Sequence, residues 1–338
     1  MEQVRIRRSS VRILLIAGIA ALAVLLWPVI ASLLTQLAAG WLLMALALPL
    51  CRILERHMKP TLAAILSFAS LLALAAALVL LALPPLVGQF RQLASSLPGL
   101  MKSAAGWIDQ LQAWLEERGL SLAPVRGELV TALSERVGML AGWIANAAGR
   151  VVQSMSKVFL APLIAFYLLR DRRMICTRLL LIAPVAWRKR VVRAAREMRR
   201  ETLGFLRGQL LLSAAVGTMT SVGLLLTRTS GWLALGALMG VMELIPYIGP
   251  VIAGVPAVLI SLGGGLMQGV WTIAVLLIVQ QIEGSVLSPQ LLSGATRLHP
   301  LAVLAAVSAG GMLAGAMGML AAVPVVVSVR GAVRGLRA

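Results

Sequence analysis

Apolar runs long enough to cross a bilayer recur from one end of this 338-residue chain to the other, and they constrain its fold more than any other feature. A hydrocarbon core about 30 Å thick takes roughly 20 helical residues to cross. Inside lipid every backbone group must find its partner within the protein, so such runs read as helices. Eight spanning units are expected, at approximately Val11–Ala31, Leu33–Leu50, Thr61–Leu83, Gly149–Leu169, Leu203–Thr227, Gly231–Leu262, Gln268–Leu287 and Pro300–Val329. The segments 231–262 and 300–329 are too long for one straight crossing and carry Pro and Gly, so they are bent spans, broken helices or re-entrant hairpins. The fold class is all-α, a polytopic transmembrane helical bundle. With 60% of residues hydrophobic and only 13% charged, the chain lacks the polar surface of a water-soluble domain.

A net charge of +19 would suggest nucleic acid on a soluble protein. Here the basic residues sit in clusters between apolar runs, where they orient spans, and no basic stripe interleaved with aromatics is present. Four lie at the N-terminus (Arg5, Arg7, Arg8, Arg12), three at Arg52, Arg56 and Lys59, twelve between Arg170 and Arg207, and three at Arg330, Arg334 and Arg337. Under an eight-span count these 22 of 31 basic residues share one side, the cytoplasm, with both termini. The first run resembles a signal peptide, but no small-residue cleavage site follows, and a retained first span is the reading taken. Cys51 and Cys176 have no metal-ligand or CxxC spacing and read as reduced thiols.

Three regions follow: residues 1–83, an N-terminal membrane region of three spans; 84–148, an extracytoplasmic helical insert; and 149–338, a C-terminal membrane bundle. In the insert, Leu86, Phe90, Leu93, Leu97, Leu100, Ala104, Trp107, Leu111 and Trp114 alternate spacings of four and three, as on an amphipathic helix seam. A helical cap on the membrane face is the plain reading; a homo-oligomer contact or a gate is the sharper one. The segment Arg170–Arg207 carries nine more basic than acidic residues, a charge suited to anionic lipid headgroups.

After Glu201 the chain holds only two acidic residues, Glu243 and Glu283, both within or beside apolar runs. A carboxylate at mid-bilayer costs several kcal/mol, so such groups face a cavity, find a partner or carry a proton. Glu243 opens Glu243-Leu-Ile-Pro246-Tyr247-Ile-Gly249-Pro250, where two prolines and a glycine forbid a regular helix. Such a break exposes carbonyls that need water, a side chain, an ion or a substrate; the alternative is a tight turn between two half-spans. Tyr247 would share a face with Glu243 if that turn stayed helical. Gln280, Gln281 and Glu283 form a polar ridge that leads past Ser288-Pro289 to His299-Pro300. His299 could relay a proton or simply cap the next helix. Small residues recur at four-residue steps: Ser213, Gly217 and Ser221; Gly236 and Gly240; Gly311 and Gly315. That spacing lets helices approach closely in lipid.

No phosphate-cradling Gly loop, HExxH or GxSxG motif is present, and no metal site or cofactor is expected. The runs Glu243–Pro250, Gln281-Ile-Glu283 with Ser288-Pro289, and Leu298-His-Pro300 followed by Gly310-Gly311, Gly315, Gly318 and Ala321-Ala-Val-Pro324 resemble the autoinducer-2 exporter family of PerM-type permeases. The resemblance covers about the last hundred residues. It implies a bacterial inner-membrane transporter without enzymatic activity, exporting autoinducer-2 in some members and exchanging sodium or lithium for protons in others. It also points to Pro246, Tyr247, Gly249, Pro250, Gln281, Glu283, Pro289, His299 and Pro300 as shared positions. The leading expectation is a secondary exporter of a small polar metabolite or signal. The alternatives are a cation–proton antiporter and a non-transporting membrane scaffold.

Overall fold

A computed structural model describes residues 8–77, 160–292 and 298–337, with scattered positions between 80 and 139. The described residues fold into helices, with no strand among them. In chain order these are α1 (Arg8–Leu54), α2 (Pro60–Ala77), α3 (Leu160–Arg170), α4 (Arg172–Ile182), α5 (Val185–Leu226), α6 (Trp232–Met242), α7 (Ile248–Leu262), α8 (Leu266–Leu292) and α9 (Pro300–Arg337). Five of them, α1, α2, α5, α8 and α9, contain a stretch long and apolar enough to cross a membrane. The expected insert at 84–148 and the start of the fourth span lie largely outside the described residues.

The N-terminal pair of spans differs from expectation. Val11–Ala31 and Leu33–Leu50 belong to one uninterrupted helix of 47 residues, with no reversal at Ser32. The sequence there holds no glycine or turn residue pair, and a single proline bends a helix without reversing it. Arg8 therefore stands roughly 65 Å along the axis from Arg52, and the charge argument that placed the N-terminus beside the other basic clusters loses its basis.

The two overlong segments are both helical hairpins. Within α9, Ala314 and Gly315 leave helical geometry (Gly315 φ +59°), and the chain folds back on itself. A Cβ built on Gly310 would lie 2.3 Å from the Gly318 carbonyl oxygen, so the arms 300–313 and 316–337 touch backbone to backbone. The helices α6 and α7 form the other hairpin, closed by the turn Glu243–Tyr247, with Leu235 packed beside Ala257. Their 11 and 15 residues reach only about 16 and 22 Å, each less than the thickness of a bilayer core.

α5 is the spine between them. Its polar first half runs beside the last arm of α9, where a Cβ on Gly335 would sit 2.5 Å from the Ala194 Cα. Its apolar second half carries the α6–α7 hairpin and α8. Along α5, the register passes from Thr202 against Ser328 through Gln209 against Glu243 to Leu224 against Leu235. The two hairpins thus lie on opposite halves of α5. A separate apolar cluster joins α1, α2 and α3 around Cys51, Ala63, Phe68, Ala165 and Leu169. Leu42 and Ala45 tie α1 to the C-terminal bundle through Phe205, Val307 and Val323.

The basic clusters of the second and third groups meet the C-terminal tail at one end of the molecule. Arg172 pairs with Glu55, and Glu201 accepts from Arg334 at 2.7 Å with Arg330 at 3.8 Å.

Candidate functional site

The centre of the C-terminal bundle is built where the α6–α7 tip meets α5 and α8. Met242 ends α6, and the chain turns through Glu243 to Tyr247, whose φ of +66° is a left-handed conformation costly for a side-chain-bearing residue. Gly249 is required two residues later: a Cβ there would lie 1.8 Å from the Met242 carbonyl oxygen. Pro250 occupies the first turn of α7, where its missing N–H leaves no helical bond unmade. The turn holds itself with Ile245 N–H donating to the Met242 carbonyl (2.9 Å) and Gly249 N–H to that of Ile245 (2.9 Å).

This geometry drives the Glu243 side chain inward, where it is 1% exposed, and turns Tyr247 outward at 52%. The two do not share a face, because helix geometry stops at Met242. Gln209 of α5 donates from Nε2 to the Glu243 main-chain carbonyl at 2.6 Å, so the tip is anchored by a side chain from the spine. The Glu243 carboxyl lies within hydrogen-bonding reach of the Glu283 carboxyl on α8. Glu283 also accepts from Gln280 Nε2 at 2.9 Å and is in reach of the Ser288 hydroxyl.

Glu283 opens a π-helical turn, Glu283–Leu287, within α8. The extra residue of such a turn shifts side-chain directions relative to an α-helix and is frequent at functional sites. No cation neutralises either carboxyl among the described residues. Two ionised carboxylates have acceptors only, so a bond between them exists only when one holds a proton. The buried Oε2 of Glu243 has no hydrogen-bond partner among the described residues.

Other buried oxygens on the same seam lack partners among the described residues: Gln209 Oε1, Ser213 Oγ and Thr220 Oγ1, all on α5. Each unpaired buried polar atom costs about 1–3 kcal/mol. Beyond them, at the base of the hairpin, Thr229, Ser261 and Thr272 form a buried hydroxyl knot with contacts of 2.7 to 3.3 Å. Polar groups therefore run from the tip, along the seam, to the far end of α5.

The small residues sit along that seam. A Cβ on Gly217 would lie 3.1 Å from the Gly240 Cα, one on Gly236 1.9 Å from Ser221 Oγ, and one on Gly240 2.8 Å from the Ser213 carbonyl. Gly311 meets Met319 across the α9 hairpin, whereas Gly315 forms its turn rather than a packing face. Gln281, Pro289, His299 and Pro300 are exposed and do not join the carboxyl pair. His299 Nδ1 accepts from the Leu301 N–H at 3.3 Å, which makes it a cap on the first arm of α9. Among the described residues, no group of three His, Cys, Asp or Glu side chains could hold a metal ion.

Gln209 was not singled out in the sequence reading. It precedes Ser213, Gly217 and Ser221 at the same four-residue step, so the polar stripe on α5 begins one turn earlier than the small residues show.

These features define a polytopic helical membrane protein with hairpin half-helices and a polar centre buried among its apolar spans. The sequence model of AI-2E family transporters matches residues 13–338, and the chain belongs to that family. Among curated relatives, YueF of Bacillus subtilis (strain 168), provisionally named a transport protein, is 26% identical over 283 residues, covering 82% of this chain and 77% of its own. YrrI of the same organism, named with the same reserve, is 32% identical over 163 residues, which is 48% of this chain and 46% of that protein. PerM of Escherichia coli (strain K12), provisionally named a permease, is 27% identical over 250 residues, covering 72% and 65%.

Proposed function

We propose that the chain is a secondary transporter of the bacterial inner membrane that exports a small polar metabolite or signal, such as autoinducer-2, with its basic end and C-terminus in the cytoplasm. One observation carries this reading. A hairpin tip holds Glu243 inside the bundle against a second carboxyl, with no cation among the described residues to neutralise them. A stable fold gains nothing from two uncompensated carboxyls in apolar surroundings, so their use is in binding or proton exchange. The unpaired oxygens of Gln209, Ser213 and Thr220 offer acceptors to a hydroxyl-rich cargo moving along the seam. Half-helices that end at mid-membrane are the arrangement by which carriers present backbone and charge to a substrate.

Efflux of a panel of small polar solutes from vesicles, compared for wild type, Glu243→Gln and Glu283→Gln, tests the proposal. Loss of transport and of its pH dependence is expected in both variants; unchanged efflux in both overturns the role of the carboxyls. The same site also favours a second reading, because Glu243, Glu283, Gln280 and Ser288 present the oxygen ligands that a monovalent cation takes. Dissipation of an imposed pH gradient by sodium or lithium would mark an antiporter, and indifference to both ions would remove that reading.

A further inference from the structure

A second polar region lies far from the carboxyl pair, at the basic end. Helices α1, α4 and α5 enclose a cavity of about 530 Å³. Four guanidinium groups, Arg52, Arg172, Arg173 and Arg199, line it together with one carboxylate, Glu55. Glu55 is already engaged: it pairs with Arg172 and lies 3.6 Å from Arg173. Arg52 then faces Arg199 and Arg172, and the shared Glu55 is the one carboxylate among the described residues that offsets them. Three net positive charges on one cavity repel each other, an arrangement that an anion relieves.

The remaining wall is apolar and directional. Trp41, Met44 and Leu48 continue the Arg52 face of α1, and Leu203 closes the cavity from α5. From Arg52 to Trp41 this face runs about 16 Å into the span. A free phosphate would use only the arginine mouth. An anion with an attached hydrocarbon chain would use both parts.

From this juxtaposition we propose that the cavity between α1, α4 and α5 is a specific site for one anionic phospholipid, its phosphodiester held by Arg52 and Arg199 and its acyl chain laid along Trp41, Met44 and Leu48. Guanidinium forks suit phosphate oxygens, and Arg172 is held ready by Glu55. The site differs from a general attraction of the basic segment to the membrane surface, because its ligand is a single bound molecule with a fixed place between three helices.

Native mass spectrometry of the full chain, purified in detergent and given phosphatidylglycerol, phosphatidylcholine or inorganic phosphate, tests this. One phosphatidylglycerol should remain bound, with phosphatidylcholine lost on the same activation. Arg52→Gln with Arg199→Gln should weaken retention roughly thirty-fold, since each arginine near the headgroup contributes roughly a fivefold factor. Arg188→Gln with Lys189→Gln, which removes equal charge outside the cavity, should leave retention unchanged. Equal loss in that control, or equal retention of the two lipids, overturns the proposal in favour of diffuse attraction. Displacement of the lipid by an equal concentration of inorganic phosphate overturns it in favour of a soluble anion.

A test without substitution guards against misfolding. Cys176 lines the cavity and is exposed, whereas Cys51 is fully buried. Bound phosphatidylglycerol should slow maleimide labelling of Cys176, and the labelled protein should no longer retain lipid. Full retention after labelling overturns the assignment.

Discussion

Two glutamates are buried among the described residues, and their surroundings could hardly differ more. Glu201, on the first half of α5, is 5% exposed and faces Arg334 at 2.7 Å and Arg330 at 3.8 Å. Glu243, at the hairpin tip, is 1% exposed and faces another carboxyl. The first is a charge whose desolvation is offset by partners, and it fastens the C-terminal arm of α9 to the spine. The second has no cation to offset it among the described residues. The contrast separates a carboxylate with charged partners from one without, and it teaches that burial alone does not distinguish them. The partner does.

Substitution should cross the two effects. Glu243→Gln keeps the size and hydrogen bonding of the side chain but cannot exchange a proton. We expect transport to fall about a hundredfold, equivalent to about 2.7 kcal/mol, with no loss of thermal stability in detergent. A variant that unfolds early instead would show Glu243 to be a structural group like Glu201. Conversely, Glu201→Gln leaves Arg330 and Arg334 facing each other, and stability should fall by about 2 kcal/mol. Transport per folded molecule should stay near wild type, as read by efflux normalised to monodisperse protein.

Smaller changes sharpen the same contrast. Gln209→Ala removes the donor to the Glu243 carbonyl and should cost about 1 kcal/mol of stability. Because it loosens the tip, it should also slow efflux, whereas a purely structural anchor would leave efflux alone. Arg334→Gln should cost only about 0.5 kcal/mol, since Arg334 is 58% exposed and Arg330 keeps the pair partly satisfied.

Much of this contrast could be read before any coordinates. Glu243 and Glu283 stand out because they are the only acidic residues after Glu201, and Pro246, Gly249 and Pro250 mark the break that carries one of them. The seam of Ser213, Gly217, Gly236 and Gly240 is equally visible, because close packing in lipid restricts those positions to small residues. The single long α1 was not legible. Lipid-facing and protein-facing apolar residues look alike in sequence, and nothing in a run of 40 of them tells one long helix from two. A hairpin was one of the alternatives open for 300–329, but its turning point was not legible: Gly310, Gly311, Gly315 and Gly318 all permit it, and only the fold selects Gly315 for the positive φ. Tyr247 and His299 show the limit of spacing arguments. A four-residue step aligns side chains only while the backbone stays helical, and a histidine before Pro300 finds its partner in the next N–H of its own chain.

The account's central claim is that Glu243 and Glu283 work as one unit inside the bundle. A double-substitution cycle tests it most directly: efflux is measured for Glu243→Gln, Glu283→Gln and the two together, on protein of matched folding. If the pair acts jointly, the double variant is no slower than the slower single one. If the two losses multiply, or if either single variant exports at the wild-type rate, the carboxyls act separately and the claim is wrong.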